Sequence, residues 1–129
     1  MTYTLTKWLA WIALAAVYLA AAEIANAEPR HGTASWYSVA SCKREGTSGI
    51  MANGEPLDDQ AFTAASWDYR FGTVLQVCYA GQCTQVTVTD RGPAKRLYRQ
   101  GRIIDLSRAA FLALSPLSAG VIDVTVEPL

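Results

Sequence analysis

The stretch TVLQVCYAGQCTQVTVTDRGP, residues 73–93, sets the fold class. Its second half, Thr84-Gln85-Val86-Thr87-Val88-Thr89, alternates β-branched apolar and polar side chains with period two, the pattern of a half-buried strand. Thr73 to Tyr79 gives the partner strand. Between them, Ala80-Gly81 is short enough to be a two-residue hairpin turn. Such a turn sets Tyr79 opposite Gln82 and Cys78 opposite Cys83. Directly opposed residues of the close, non-hydrogen-bonded kind lie within disulfide range, which favours a Cys78–Cys83 bridge. Cys42 is then the odd thiol, though its pairing with either hairpin cysteine stays open. The stretch ends at Asp90-Arg91-Gly92-Pro93, a strong breaker.

Outward from this hairpin the chain reads as further short strands. Thr33 to Ser38, Ala61 to Ala65, Arg102 to Asp105 and Val121 to Val126 each alternate or run apolar over a strand's length. Ala40 to Gly54, with three glycines, reads as a loop, and Glu55 to Asp59 as a turn with room for one helical turn. Ser107 caps a helix that covers Arg108 to Leu114 and stops before Pro116. The expectation is therefore mainly β: six strands and one short helix in one domain. Closing six strands into a barrel leaves no exposed edge.

The N-terminus stands apart. After Lys7 comes an uncharged run, Trp8 to Ala22, of 15 residues. That is short of the roughly 20 needed to span a bilayer as a helix. Ala25-Asn26-Ala27 follows, a small-x-small cleavage pattern. Residues 1–27 thus read as a secretory signal peptide and 28–129 as the mature domain. No cysteine precedes Cys42 to be acylated. The mature protein is expected to be secreted or periplasmic, soluble, monomeric and without a stable membrane anchor.

Charge excludes one large class of partner. The chain carries 11 Lys+Arg against 11 Asp+Glu, whereas a nucleic-acid surface needs an excess of base. A zinc site is also disfavoured: three cysteines and the single His31 do not make a closed ligand set. No metal and no cofactor are expected. Four Trp and six Tyr suit a flat apolar ligand, although aromatics also fill cores.

Several segments, taken in order, resemble the rare lipoprotein A (RlpA) family of double-psi β-barrels. They are Gly32-Thr33-Ala34-Ser35-Trp36-Tyr37, Met51-Ala52-Asn53-Gly54-Glu55-Pro56-Leu57-Asp58, Phe62-Thr63-Ala64-Ala65, Phe71-Gly72-Thr73, Thr89-Asp90-Arg91-Gly92-Pro93, and Gly101 through Ala110. The resemblance implies a six-stranded double-psi β-barrel related to expansins and barwin-like proteins. It further implies a lytic transglycosylase acting on peptidoglycan or a related polysaccharide. The family's acylated cysteine and its peptidoglycan-binding SPOR module have no counterpart in these segments. Family members use a Glu at the place of Glu55, a His at the place of Ser66 and an Asp at the place of Asp90.

The residue chemistry is consistent with that expectation. Glycoside cleavage needs an acid to protonate the leaving oxygen. Asp90, at a strand end before Gly-Pro, can place a carboxyl at a groove rim; the competing reading is a turn-capping aspartate bonded to Gly92. Glu55 would be the second carboxylate, across the groove, or else a solvated loop residue. Ser66 can bond a sugar hydroxyl but cannot share a proton near neutrality. Trp36, Tyr37 and Trp67 are candidates for stacking on sugar faces, or for core and rim packing. Asp105, two residues before the Ser107 cap, reads as structural, pairing with Arg91 or helix amides, and Arg91 as a strut. A non-catalytic, expansin-like wall-binding module is the rival reading. A secreted inhibitor or effector on a barwin-like barrel is a third, which no sequence feature singles out.

Overall fold

A computed structural model describes residues 28–129; the signal peptide expected over 1–27 lies outside the described residues. Six strands close into a barrel: β1 (Arg30–Tyr37), β2 (Thr63–Ala65), β3 (Val74–Tyr79), β4 (Gln82–Asp90), β5 (Arg102–Ser107) and β6 (Ile122–Pro128). Their order around it is β1-β5-β2-β4-β3-β6. The β1/β5 and β2/β4 pairs are parallel and the other four antiparallel. The two parallel pairs join strands far apart in the chain, so closure depends on crossover connections rather than on hairpins alone.

The β3/β4 hairpin has the expected register, with Tyr79 opposite Gln82 and Cys78 opposite Cys83. Ala80 and Gly81 both take positive φ, 48° and 84°, as a two-residue turn matched to strand twist requires. Cys78 and Cys83 are bridged, their Cα atoms 4.0 Å apart, and Cys42 is free. Alternation along the strands sends Leu75, Val77, Val86, Val88, Ile104, Leu106, Val124 and Val126 inward, where all are buried. Burying each such side chain contributes about 1.5–3 kcal/mol before entropy is counted.

The helix expected after Ser107 is α3 (Arg108–Leu112), and the Ser107 hydroxyl accepts from the Ala110 N–H as its cap. Phe111 on α3 is fully buried in the barrel core. Its ring lies 6.5 Å from that of Trp36, tilted by 49°.

The expectation of one helix is too low. Val39–Arg44, read as the start of a loop, is a helix (α1), and Lys95–Tyr98 is a single turn (α2). Leu117–Ala119 adds a 3-10 turn. At α1, Ser38 and Ser41 form a reciprocal capping box. Serine takes the place usually held by Glu or Gln in that signature, so the start signal is weak in sequence. Glu55 to Asp59 forms no helical turn. Pro56 there makes an isolated bridge to Ile50.

Candidate active site

A cavity of about 730 Å³ opens beside the ends of β1 and β4 and beside Arg102 and Asp105 of β5. Strand register builds its floor. Ser35 on β1 sits opposite Asp105 on β5. Asp105 sits opposite Ala65 on β2. After a register shift between Ala64 and Ala65, Ala65 sits opposite Asp90 on β4. One row therefore crosses four adjacent strands: Ser35, Asp105, Ala65, Asp90. The two aspartates are separated by a single small residue, two strand spacings or about 10 Å between backbones. A larger side chain at 65 would fill the gap between the carboxyls.

Asp90 is held by three donors. Its Oδ1 accepts from the Ala52 N–H at 2.8 Å and from the Arg91 N–H at 2.8 Å. Its Oδ2 accepts from the Tyr37 hydroxyl at 2.9 Å. The Ala52 amide is delivered by the loop after α1, which is anchored by the buried Met51 and Leu57. The Thr89 hydroxyl also bonds the Met51 sulfur. One lone pair, on Oδ2, stays open to a ligand.

Burial pushes the Tyr37 hydroxyl far above the usual tyrosine range, and the Asp90 and Asp105 carboxylates push it further. Tyr37 is thus a fixed donor throughout the working pH range. Asp105 accepts a hydrogen bond from the Ser35 hydroxyl. Burial raises its carboxyl above the ordinary aspartate range. The Ser35 bond and nearby Arg102 oppose that rise, and Asp90 and Glu45 add to it. The result is a pair of unlike carboxyls: Asp90, held by three donors with one lone pair free, and Asp105, biased by burial towards holding its proton.

The Arg91-Gly92-Pro93 turn completes the wall, with a cis Gly92–Pro93 bond. The Arg91 guanidinium lies 4.0 Å from the centre of the Phe71 ring and donates to the carbonyls of Ser66 and Tyr69 at 2.7 and 2.8 Å. It is a strut, as expected. A methyl group on Gly92 would meet the Ala65 Cβ at 3.2 Å and the Asp105 Oδ2 at 3.7 Å.

The other sequence candidates fall in different places. Tyr37 and Trp36 line the cavity beside Asp90. Trp36 is also pinned at its back, where its indole N–H donates to the Leu117 carbonyl at 3.1 Å. Glu55 is not across the groove from Asp90. It is exposed on the turn after Asn53, whose side chain accepts from the Glu55 N–H, and it does not line the cavity. Ser66 is not on the cavity wall either. It is 1% exposed and its hydroxyl accepts from the Asp68 N–H, so no sugar can reach it. Trp67 stands outside the cavity, with its indole N–H on the Pro93 carbonyl at 2.7 Å and Lys95 4.9 Å from its ring centre. In each case the side chain stands away from the cavity, a choice that sequence spacing does not fix.

Asp105 is the residue whose partner the sequence misplaces. It pairs with Ser35, and neither Arg91 nor a helix amide is its partner. The signal that could have found it is its place on a strand running parallel to β1, which needs the strand order rather than the local sequence.

Comparison with known proteins gives a consistent picture. The DPBB_1 family model, described as lytic transglycolase, matches residues 30–126. The Campylobacter jejuni endolytic peptidoglycan transglycosylase RlpA is 33% identical over 106 residues, 81% of this chain and 35% of that protein. The Synechocystis protein named probable endolytic peptidoglycan transglycosylase RlpA is 38% identical over 98 residues, 74% of this chain and 28% of that protein. The chain thus spans about a third or less of the length of these relatives. Among solved structures, the Streptomyces papain inhibitor superposes with a TM-score of 0.60 at 26% identity, covering 79% of this chain and 94% of that one. Clavibacter michiganensis expansin superposes with a TM-score of 0.56 at 24% identity, covering 79% of this chain and 50% of that one. The expansin likeness shows the fold, a double-psi barrel.

Proposed function

Because the chain belongs to the lytic transglycolase family across residues 30–126, we propose that its groove binds peptidoglycan glycan strands and cleaves them with Asp105 and Asp90 as the working carboxyls. The observation that supports this most is the row Ser35–Asp105–Ala65–Asp90 on the cavity floor. It sets two carboxyls of unlike character beside an open groove.

The chemistry needs no water. Asp105, biased towards its protonated form, gives its proton to the bridging oxygen as the bond from that oxygen to the muramoyl C1 breaks. Asp90, an acceptor fixed by three donors, faces the positive charge that develops on the ring. The sugar's own 6-hydroxyl then closes on C1, and its proton returns to Asp105. Atoms and charge balance, and the product carries a 1,6-anhydro end. The sequence alone puts the acid role on Asp90. The three donors around Asp90 and the burial of Asp105 favour the opposite division of labour, with Asp105 as the acid.

The test is mass spectrometry of sacculi incubated with the parent, Asp105→Asn and Asp90→Asn. The expected result is 1,6-anhydro ends from the parent, none from Asp105→Asn, and a strongly reduced yield from Asp90→Asn. Undiminished release by Asp105→Asn would refute the assignment.

A second reading, a wall-binding module without catalysis, is favoured by position 66. The family's imidazole is replaced there by a buried hydroxyl that is already bonded. Retention of the parent on glycan strands with no anhydro product would establish that reading in place of the first. In both readings the protein works at the cell wall, outside the cytoplasmic membrane, as a monomer.

A further inference from the structure

The groove also carries positive charge that the acid pair does not use. Arg91, Arg96 and Arg102 line it together with Asp90, Asp105 and Glu45. Arg91 is committed to two carbonyls and the Phe71 ring. Arg96 and Arg102 are not so engaged. The one ion pair among the described residues joins Arg30 and Asp68, so neither groove arginine has a carboxylate within contact distance. Arg102 is half-buried at the start of β5, and its Nε is buried without a hydrogen-bond partner. A guanidinium that lines the groove and has no carboxylate partner is a ready anion site. Its planar fork matches a carboxylate, and it stays charged at any working pH.

The acids in the same cavity limit what that anion can be. Three carboxyls, one of them biased towards its protonated form, against three guanidiniums leave at most a single excess positive charge, so a polyanion such as a phosphate polymer is not favoured. What fits is a mainly neutral chain with an isolated carboxylate at intervals. From this we propose that Arg102 and Arg96 form a carboxylate-reading subsite of the groove, which engages one carboxyl group of the wall polymer and fixes which sugar lies over the acid pair. The inference rests on the glycan-binding reading above.

Two sources offer that carboxylate. One is the lactyl ether of muramic acid, free as an acid only when the stem peptide is absent. The other is the stem peptide itself. Strands stripped by an amidase present the first, and intact peptide-bearing strands the second. Each preparation is used with its carboxyls free and with them converted to amides by a carbodiimide and ammonia. Binding is measured by equilibrium titration of the parent, Arg96→Gln and the Arg96→Gln/Arg102→Gln double variant, and read as the ratio of affinities for acid and amide forms.

The parent should bind the acid form of one strand type about tenfold more tightly, the scale of one charge-assisted hydrogen bond. The strand type showing the preference identifies the source. The double variant should bring the ratio close to one. Arg96→Gln alone, an exposed change, should lower it about two- to threefold. A general loss of packing would weaken both forms equally and leave the ratio intact, so a preserved ratio in the double variant overturns the subsite. So does a parent ratio of one on both strand types. Failure of the parent to bind any of the four preparations would instead overturn the glycan reading, and the subsite with it.

Discussion

Replacing Gly92 with alanine should damage the site through packing, on top of the backbone strain of placing a side chain at its φ of 158°. The added methyl lies 3.2 Å from the Ala65 Cβ, whereas carbon–carbon contacts are comfortable at about 3.5–4.0 Å. Roughly half an ångström must therefore be found. Ala65 cannot supply it easily, because it is paired to β5 on one side and β4 on the other. Overpacking of this kind costs about 1–3 kcal/mol. For a domain of roughly a hundred residues the unfolding entropy is about 0.2 kcal/mol/K, so Tm should fall by about 5–14 °C. Ala65 separates the two aspartates, so its displacement also shifts their spacing, and glycan cleavage should fall by about tenfold or more. Scanning calorimetry and the anhydro-product assay read the two effects. A Tm within about 2 °C of the parent, well under the smallest packing cost, together with unchanged cleavage, would refute the reasoning.

Further outcomes are expected at other positions. Burial raises the Asp105 carboxyl in the folded state, so the stability linked to it is full below the unfolded value of about 3.9 and is lost as pH rises through the folded value. Asp105→Asn should thus raise Tm at pH 7, with the gain vanishing as the pH falls below about 4; a gain that grows on acidification would contradict that sign. Phe111→Ala should cost about 3–5 kcal/mol by denaturant titration, because the ring is fully buried against the barrel and its removal leaves a cavity. Cys78→Ser/Cys83→Ser closes no loop and should lose only about 2 kcal/mol, the sequence separation being 5 and the entropy term small for short loops. Tyr37→Phe removes one of three donors to Asp90, and in steady-state kinetics on glycan strands kcat should fall more than binding; a loss confined to binding would contradict a transition-state role for that donor.

Local signals carried most of the barrel. Period-two alternation in 84–89, the Ala80-Gly81 turn and the Ser107 cap each act within a few residues, and each appears where the sequence put it. The α1 helix did not, because a Ser-x-x-Ser box has no distinctive composition. The site was legible only in part. Asp90 and Tyr37 stand at strand ends, where orientation follows from the strand. Glu55 follows a tight turn, and Ser66 and Trp67 follow directly on the short strand β2, where the chain leaves the sheet and the local sequence does not decide between groove and exterior. Asp105 sits mid-strand, and its meaning depends on a neighbour strand that the local sequence does not name.

The four-strand row on the cavity floor has a consequence for timing. Ser35 and Asp105, joined by a hydrogen bond, are 70 residues apart in the chain, and their strands pair in parallel. Contacts of such high sequence separation form late, because loop-closure entropy is lost before they give anything back. The carboxyl pair therefore does not exist in a nascent or partly collapsed chain. The proposed acid pair arises only once β1 and β5 have paired, and a partly folded chain carries its residues without the site.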